Sequence, residues 1–320
     1  KSSANAFKRW KKTSAEERSY FLKKFHSLVL KNKKSIAKIV TTESGKPLKE
    51  SYIEVEYGAS FIEWSANQCL RNCGKIFESP EQTKRMFYVK QPVGVVAAIT
   101  PWNFPLAMVT RKISAALAAG CCVILKPSEL TPITALVLGE LSIEAKFPNG
   151  IFNIINGKPD IIGDILSKNS TVKKITFTGS TKVGSLLMKN SSKTIKNISL
   201  ELGGNAPFIV FSDANIGLAV EGLINAKFRN AGQTCISANR IFLNKEIHEI
   251  FLKKLKDRLK KMKIGSGFKE CDIGPLISKQ ALQKVENHIQ DAIYKGAKVE
   301  YGGKLHKPNS LLFEPTVLTN

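Results

Sequence analysis

Arginine is scarce in this chain, and the scarcity matters because the formal net charge is +23. Only eight of the 49 basic residues are Arg, whereas recognition of base edges and phosphates favours the planar guanidinium fork. The excess charge is unevenly spread: residues 1–90 carry 19 basic and nine acidic side chains, but 91–140 carry three and two, and 196–240 carry four and three. No basic stripe interleaved with aromatics runs through it. Solvated lysine faces follow from this pattern, and a nucleic-acid partner does not.

Cysteine and histidine are also few. The six Cys stand at 69, 73, 121, 122, 235 and 271, without a Cys-x-x-Cys pair, and there are four His. A zinc site or a disulfide framework is therefore not expected, no metal is implied, and the cysteine usage fits a reducing cytoplasm. Cys121 and Cys122 lie in an apolar run and read as small core residues. Cys69 and Cys73, about one helical turn apart, are read the same way. No apolar run approaches the roughly 18 residues needed to span a bilayer, so no membrane partner is expected, and no signal-peptide pattern opens the chain. Internal repeats and low-complexity segments are absent. The chain opens at Lys1 and stops just after a strand-like stretch at 315–318, which reads as a fragment.

With 320 residues, 43% of them hydrophobic, the chain can bury a sizeable core and is long enough for two domains. The first ninety residues read as helices. Thr13-Ser14-Ala15-Glu16 is a capping-box pattern, and a break at Gly45-Lys46-Pro47 precedes a second helical stretch ending near Cys73-Gly74. From Val93 short apolar runs at 94–99, 123–125, 152–155, 175–177 and 198–200 alternate with helical patterns. That alternation implies βαβ units and a mostly parallel, doubly wound sheet. A second α/β unit begins near Gly203-Gly204, so the domains are 1–200 and 201–320. Glu201 then lies at the junction and Cys235 in the second domain, and a cleft between domains is where ligands usually bind.

Five segments carry candidate chemistry. Cys235, in Gly232-Gln233-Thr234-Cys235, and Glu201, in Leu200-Glu201-Leu202-Gly203-Gly204, pair a thiol nucleophile with a base able to deliver water to a thioester. In Thr100-Pro101-Trp102-Asn103-Phe104-Pro105, a proline on each side fixes the turn, so the amide of Asn103 could serve an oxyanion hole with the backbone N–H of Cys235. Lys126-Pro127-Ser128-Glu129 follows a strand, where open parallel sheets bind ligands. There Lys126 and Glu129 could reach ribose hydroxyls, and Ser128 with Lys126 a 2′-phosphate. Thr178-Gly179-Ser180 also follows a strand and opens a helix, an arrangement suited to a pyrophosphate, although neither Gly-x-Gly-x-x-Gly nor a P-loop is present.

Pro-Trp-Asn-Phe-Pro, Lys-Pro-Ser-Glu, Phe-Thr-Gly-Ser, Leu-Glu-Leu-Gly-Gly and Gly-Gln-Thr-Cys, in this order and spacing, resemble the aldehyde dehydrogenase superfamily over essentially the whole chain. The resemblance implies Cys235 as nucleophile, Asn103 as oxyanion donor and Glu201 as base for thioester hydrolysis. It also implies dinucleotide contacts at Trp102, Asn103, Lys126, Pro127, Ser128, Glu129, Gly179, Ser180 and Leu202. Either NAD or NADP fits the Lys126–Glu129 turn, and Ser128 tilts the reading towards NADP. Glu201 argues against the CoA-acylating branch. Stretches around 202–210 and 227–235 are most similar to succinate-semialdehyde dehydrogenases, in which positions matching Arg111 and Arg229 hold the carboxylate of the substrate. Two guanidinium forks suit a small aldehyde bearing a carboxylate. Ser237 stands where some members carry a second Cys, so a redox disulfide there is excluded. Residues 74–90 resemble the family's oligomerisation excursion, which implies that the full-length protein is a homo-oligomer. The resemblance also places further site residues beyond Asn320.

Overall fold

The computed structural model describes residues 1–320. They divide into two compact units, Lys1–Ile39 with Tyr52–Leu202, and Val40–Ser51 with Gly203–Asn320. Four helices open the chain: α1 (Ser2–Trp10), α2 (Ala15–Lys31), α3 (Lys33–Ser44) and α4 (Leu48–Cys69). The capping box lies one residue later than the sequence suggests. Ser14 Oγ accepts from Glu17 N–H at 3.1 Å, whereas the Thr13 hydroxyl is taken by the carbonyl of Trp10 at the end of α1. Because α4 stops at Cys69, Cys73 lies outside the helix and is exposed, while Cys69 is buried. The core reading of Cys73 is thereby overturned.

In the first unit an antiparallel hairpin, β1 (Lys75–Glu78) with β2 (Arg85–Tyr88), precedes the sheet. Its apolar side chains are uncovered, Ile76 and Phe87 most of all. Then follow β3 (Val95–Ile99), α5 (Ala107–Ala118), β4 (Cys122–Lys126), α6 (Pro132–Glu144), β5 (Phe152–Ile154), α7 (Pro159–Lys168), β6 (Val172–Gly179), α8 (Thr181–Ser191) and β7 (Asn197–Leu202). The strands form one parallel sheet in the order β5-β4-β3-β6-β7. All five residues of β3 are buried, which is why this central strand reads as an unbroken apolar run.

Connections move one way from β3 to β5 and the other way from β6 to β7. Right-handed crossovers then place α5 and α6 on one face and α8 on the other. Accordingly α1, α5 and α6 pack against β3, β4 and β5. Leu166 of α7 and Leu187 of α8 join Ile175 and Phe177 of β6 in a separate core. Each large apolar side chain fully buried in this way contributes about 1.5–3 kcal/mol relative to exposure. The order reverses between β3 and β6, so the carboxyl ends of those strands flank the switch point of the sheet.

The second unit holds β8 (Ala206–Val210), α9 (Ile216–Phe228) and β9 (Ala238–Leu243) as a parallel βαβ unit, then α10 (His248–Lys260), α11 (Lys279–Tyr294) and a hairpin of β10 (Lys298–Tyr301) with β11 (Val317–Thr319). Val210, Leu223, Ile224, Phe251 and Leu255 form its main core. Val40–Ser51, which the sequence reading places in the first domain, packs with this unit instead. Backbone fit explains the assignment. Leu48 N–H donates to Gly267 O at 2.8 Å, and a Cβ built at Gly267 or Gly274 would lie 2.3 Å from the carbonyl of Lys46 or Gly45. Only glycines admit so close a strap, and Gly45 itself turns at φ +75°. No helix is long and apolar enough to cross a membrane.

Candidate active site

In the first unit the sequence-derived positions gather at strand ends. Trp102 and Asn103, both half-buried, lie in the turn after β3, and Thr100 N–H donates to Lys126 O at 3.1 Å, tying that turn to the end of β4. Lys126, Pro127 and Ser128 are buried, and Lys126 Nζ donates to Glu129 Oε2 at 2.7 Å. Burial pushes the Glu129 carboxyl up, but the bonds from Lys126 and the backbone outweigh it and hold the group below its ordinary range. Lys126 and Glu129 therefore satisfy each other, and Ser128 Oγ accepts from Leu130 N–H at 3.2 Å.

Gly179 ends β6, and its smallness has a packing cause: a Cβ there would lie 2.4 Å from the ring of Phe177. Ser180 caps α8, its Oγ accepting from Val183 N–H at 3.3 Å. The register of β6 with β7 sets Thr178 opposite Glu201 and Gly179 opposite Leu202. Two hydroxyls at these strand ends, Thr100 Oγ1 and Thr178 Oγ1, are buried without a partner. Ser19, Ser114, Thr131 and Ser191 also bury a hydroxyl without a partner, so this pair is set apart by its place at the strand ends.

Helix α5 carries two cations beyond the Asn103 turn. Its amino end is held by Glu54, whose Oε1 accepts from Leu106 N–H at 2.9 Å and Ala107 N–H at 3.3 Å. Arg111 is exposed, donates to Tyr57 Oη at 2.6 Å and lies 4.4 Å from the centroid of the Phe61 ring. It lines an open groove of about 620 Å³ with Phe61, Trp64 and Ala115, and Glu63 shares that lining. The next residue, Lys112, is buried and donates to Thr176 Oγ1 at 3.1 Å. Burial drives its amine down to about 8, with the Glu201 carboxylate opposing and Arg111 and Lys174 assisting. Glu201, exposed on β7, therefore shares an electrostatic environment with a lysine that the sequence reading missed.

In the second unit Cys235 is exposed in the turn between α9 and β9, and its carbonyl lies 3.2 Å from a Cβ built on Gly204. The backbone before it is unusual. Asn230, Ala231 and Gly232 have φ of 53°, 54° and 76°, three left-handed residues in succession. Asparagine tolerates that region and glycine prefers it, but a non-glycine residue held there costs roughly 1–3 kcal/mol. One local and two long-range bonds hold the turn. Asn230 N–H donates to Glu50 Oε2 at 2.8 Å, Gln233 Nε2 donates to Asn230 O at 3.1 Å, and Ile277 N–H donates to Gln233 Oε1 at 3.0 Å.

Lys227 closes the base of this turn, donating to Asn239 Oδ1 at 2.6 Å and to Ser237 Oγ at 3.2 Å. Burial raises the Glu50 carboxyl, opposed by the Asn230 N–H and by the charges of Lys46, Arg229 and Lys49. Arg229 is exposed at the start of the turn. Elsewhere, burial beside Cys121 pushes the Cys122 thiol up to about 12, which fits an inert core residue. Glu50, Glu54 and Lys112 escaped the sequence reading because their partners are distant in the chain. The only local hint was an acidic residue on each of two successive turns of α4.

The first unit carries a parallel sheet of the nucleotide-binding type, and the second presents an exposed thiol on a braced turn. The aldehyde dehydrogenase family model matches residues 1–320. The chain belongs to that family. It is 49% identical over 320 residues to the mitochondrial succinate-semialdehyde dehydrogenase of Oryza sativa subsp. japonica, covering all of this chain and 61% of the relative. It is 47% identical over 312 residues to the NADP(+) succinate-semialdehyde dehydrogenase of Escherichia coli, covering 97% and 65%. The crystal structure of succinate-semialdehyde dehydrogenase from Burkholderia pseudomallei matches with a TM-score of 0.98 at 47% identity, covering 99% of this chain and 66% of the other. The chain thus spans less than two thirds of the length of these relatives.

Proposed function

We propose that the full-length protein oxidises succinate semialdehyde to succinate with a nicotinamide dinucleotide. Cys235, exposed on a turn that is strained and held by side chains, is the observation that carries this reading. In it, the thiolate of Cys235 attacks the aldehyde carbon and forms a thiohemiacetal. The side-chain amide of Asn103 and the backbone N–H of Cys235 stabilise its oxyanion. Loss of hydride from the same carbon leaves a thioester. Glu201 takes a proton from water, the hydroxyl adds to the thioester carbon, and the C–S bond breaks to release the acid and return the thiolate.

The strand ends suit a dinucleotide. Thr100 and Thr178 offer buried hydroxyls without partners, and the amino end of α8 opens beside Gly179 and Ser180. Trp102, Asn103, Lys126, Pro127, Ser128, Glu129, Gly179, Ser180 and Leu202 would hold it. When bound, the dinucleotide supplies the hydride acceptor. The ion pair between Lys126 and Glu129 neutralises the one acidic group in that turn that would repel a 2′-phosphate, which supports NADP, as does the name of the Escherichia coli relative. Arg111, in its groove, and Arg229 would hold the substrate carboxylate. The uncovered apolar hairpin of β1 and β2 supports a homo-oligomer.

Reduced-dinucleotide absorbance with the full-length protein tests the reading. Cys235→Ala should abolish the signal, and Arg229→Leu should raise KM sharply for a semialdehyde acid and little for a neutral aldehyde. No turnover of any short semialdehyde by the wild type would overturn it.

A further inference from the structure

We propose that Glu50 is a positioning residue for the nucleophile: by accepting the N–H of Asn230 it holds the left-handed turn that presents Cys235. The proposal rests on the reading of Cys235 as nucleophile and adds a device that fixes its geometry. Three consecutive left-handed residues are not a conformation that a free loop keeps, because two of them are not glycine. Something outside the turn must select it.

The second unit contains that selector. Glu50 lies 180 positions before Asn230 in sequence, yet its Oε2 accepts from Asn230 N–H at 2.8 Å. Its own position is set by the strap described above, and Lys49 Nζ adds a bond to Asp272 Oδ1 at 2.7 Å. Asp272 is anchored in turn, its backbone N–H donating to Lys263 O at 2.8 Å and its Oδ2 accepting from Lys263 N–H at 3.0 Å. The segment 263–277 thus seats the first turn of α4, which bears Glu50. It also donates the N–H of Ile277 to Gln233 Oε1, and Gln233 Nε2 reaches back to Asn230 O. One irregular segment therefore supports both grips on Asn230, one on its N–H and one on its carbonyl. Asn230 is 1% exposed, so in the folded chain its N–H is satisfied by Glu50 and not by solvent.

A nucleophile displaced by about 1 Å can lose on the order of 100-fold in rate. The test measures alkylation of Cys235 by iodoacetamide in the full-length protein, resolved by peptide mass, with exposed Cys73 as an internal control. Turnover and thermal midpoint are recorded in parallel. Glu50→Ala should slow Cys235 alkylation and kcat about tenfold to 100-fold while Cys73 reacts at the wild-type rate. Glu50→Gln, whose amide oxygen can still accept the Asn230 N–H, should restore both to within about threefold. Gln233→Leu, which removes the side-chain bonds to Asn230 O and Ile277 N–H and leaves only the Gln233 backbone N–H on that carbonyl at 3.0 Å, should give a loss in the same direction and serves if Glu50→Ala does not fold. Wild-type alkylation in Glu50→Ala or in Gln233→Leu overturns the proposal, as does Glu50→Gln behaving like Glu50→Ala. If Cys235→Ala keeps its turnover, the functional reading fails, and the alkylation comparison still decides the role of Glu50.

Discussion

The turns at the ends of β4 and β6 are closed by partners two or three residues away: Lys126 with Glu129, Ser128 with Leu130, Ser180 with Val183. The turn that carries Cys235 depends on Glu50 and Ile277, 180 and 44 positions from their partners. The first kind is self-contained, so a short motif specifies it and a rigid sheet carries it. The second exists only after distant backbone has packed. A position in a locally closed turn should therefore respond to mutation through ligand contact or helix capping. A position in the Cys235 turn should respond through the reactivity of the thiol.

The largest effect expected on this comparison comes from Glu201, which belongs to the regular side, on β7 opposite Thr178. Glu201→Gln should leave a first burst of reduced dinucleotide intact and slow steady-state turnover by roughly 10²–10⁴, the range for losing a general base. Rapid mixing separates the two phases. A lost burst would mean that Glu201 serves formation of the thioester and not its hydrolysis.

Glu54 gives the next effect, and it sets a carboxylate at a helix end against the one at Asn230. Glu54→Ala removes the acceptor from Leu106 and Ala107 N–H at the buried start of α5, which should cost about 1–3 kcal/mol of stability in chemical denaturation. Alkylation of Cys235 should stay at the wild-type rate. If Glu54→Ala slows it as Glu50→Ala is expected to, the division between the two kinds of turn is wrong.

The sheet was legible in the sequence because buried parallel strands need apolar side chains on both faces, and the run at 94–99 shows that directly. The strand-end motifs were legible because their closure is local. Thr13 and Ser14 are equally good caps on paper, and only the carbonyl of Trp10, which occupies the Thr13 hydroxyl, decides between them. The assignment of Val40–Ser51 turns on glycines at 267 and 274 that touch a backbone more than 200 positions earlier. Lys112 was invisible for a related reason: a lysine on a helix reads as solvated until Thr176 and Glu201 are seen around it.

Lys112 also predicts a pH dependence. Below about 8 its amine keeps the proton, and a positive charge there opposes the arrival of a second proton from water at nearby Glu201. Above that pH the charge is lost and the opposition goes with it, so thioester hydrolysis should accelerate several-fold as pH rises through about 8. Lys112→Met should remove this rise and leave a flatter profile with the alkaline rate at all pH values. A rise of unchanged size in Lys112→Met would assign it to another group.

The smallest effect separates strain from bracing at Ala231. Its φ of 54° carries a cost in the folded state that glycine would not bear, on the order of 1–2 kcal/mol. Glycine offsets part of that gain by loosening the unfolded chain, by roughly 0.5–1 kcal/mol. The balance favours Ala231→Gly by about 1 kcal/mol or less. If Glu50 and Gln233 select the turn, a more flexible residue between them changes little: Cys235 alkylation and kcat should stay within about twofold of the wild type, with stability equal or slightly higher. If the stiffness of Ala231 itself sets the thiol, alkylation should slow although stability rises, and the grips on Asn230 would then be secondary to the strained residue beside them.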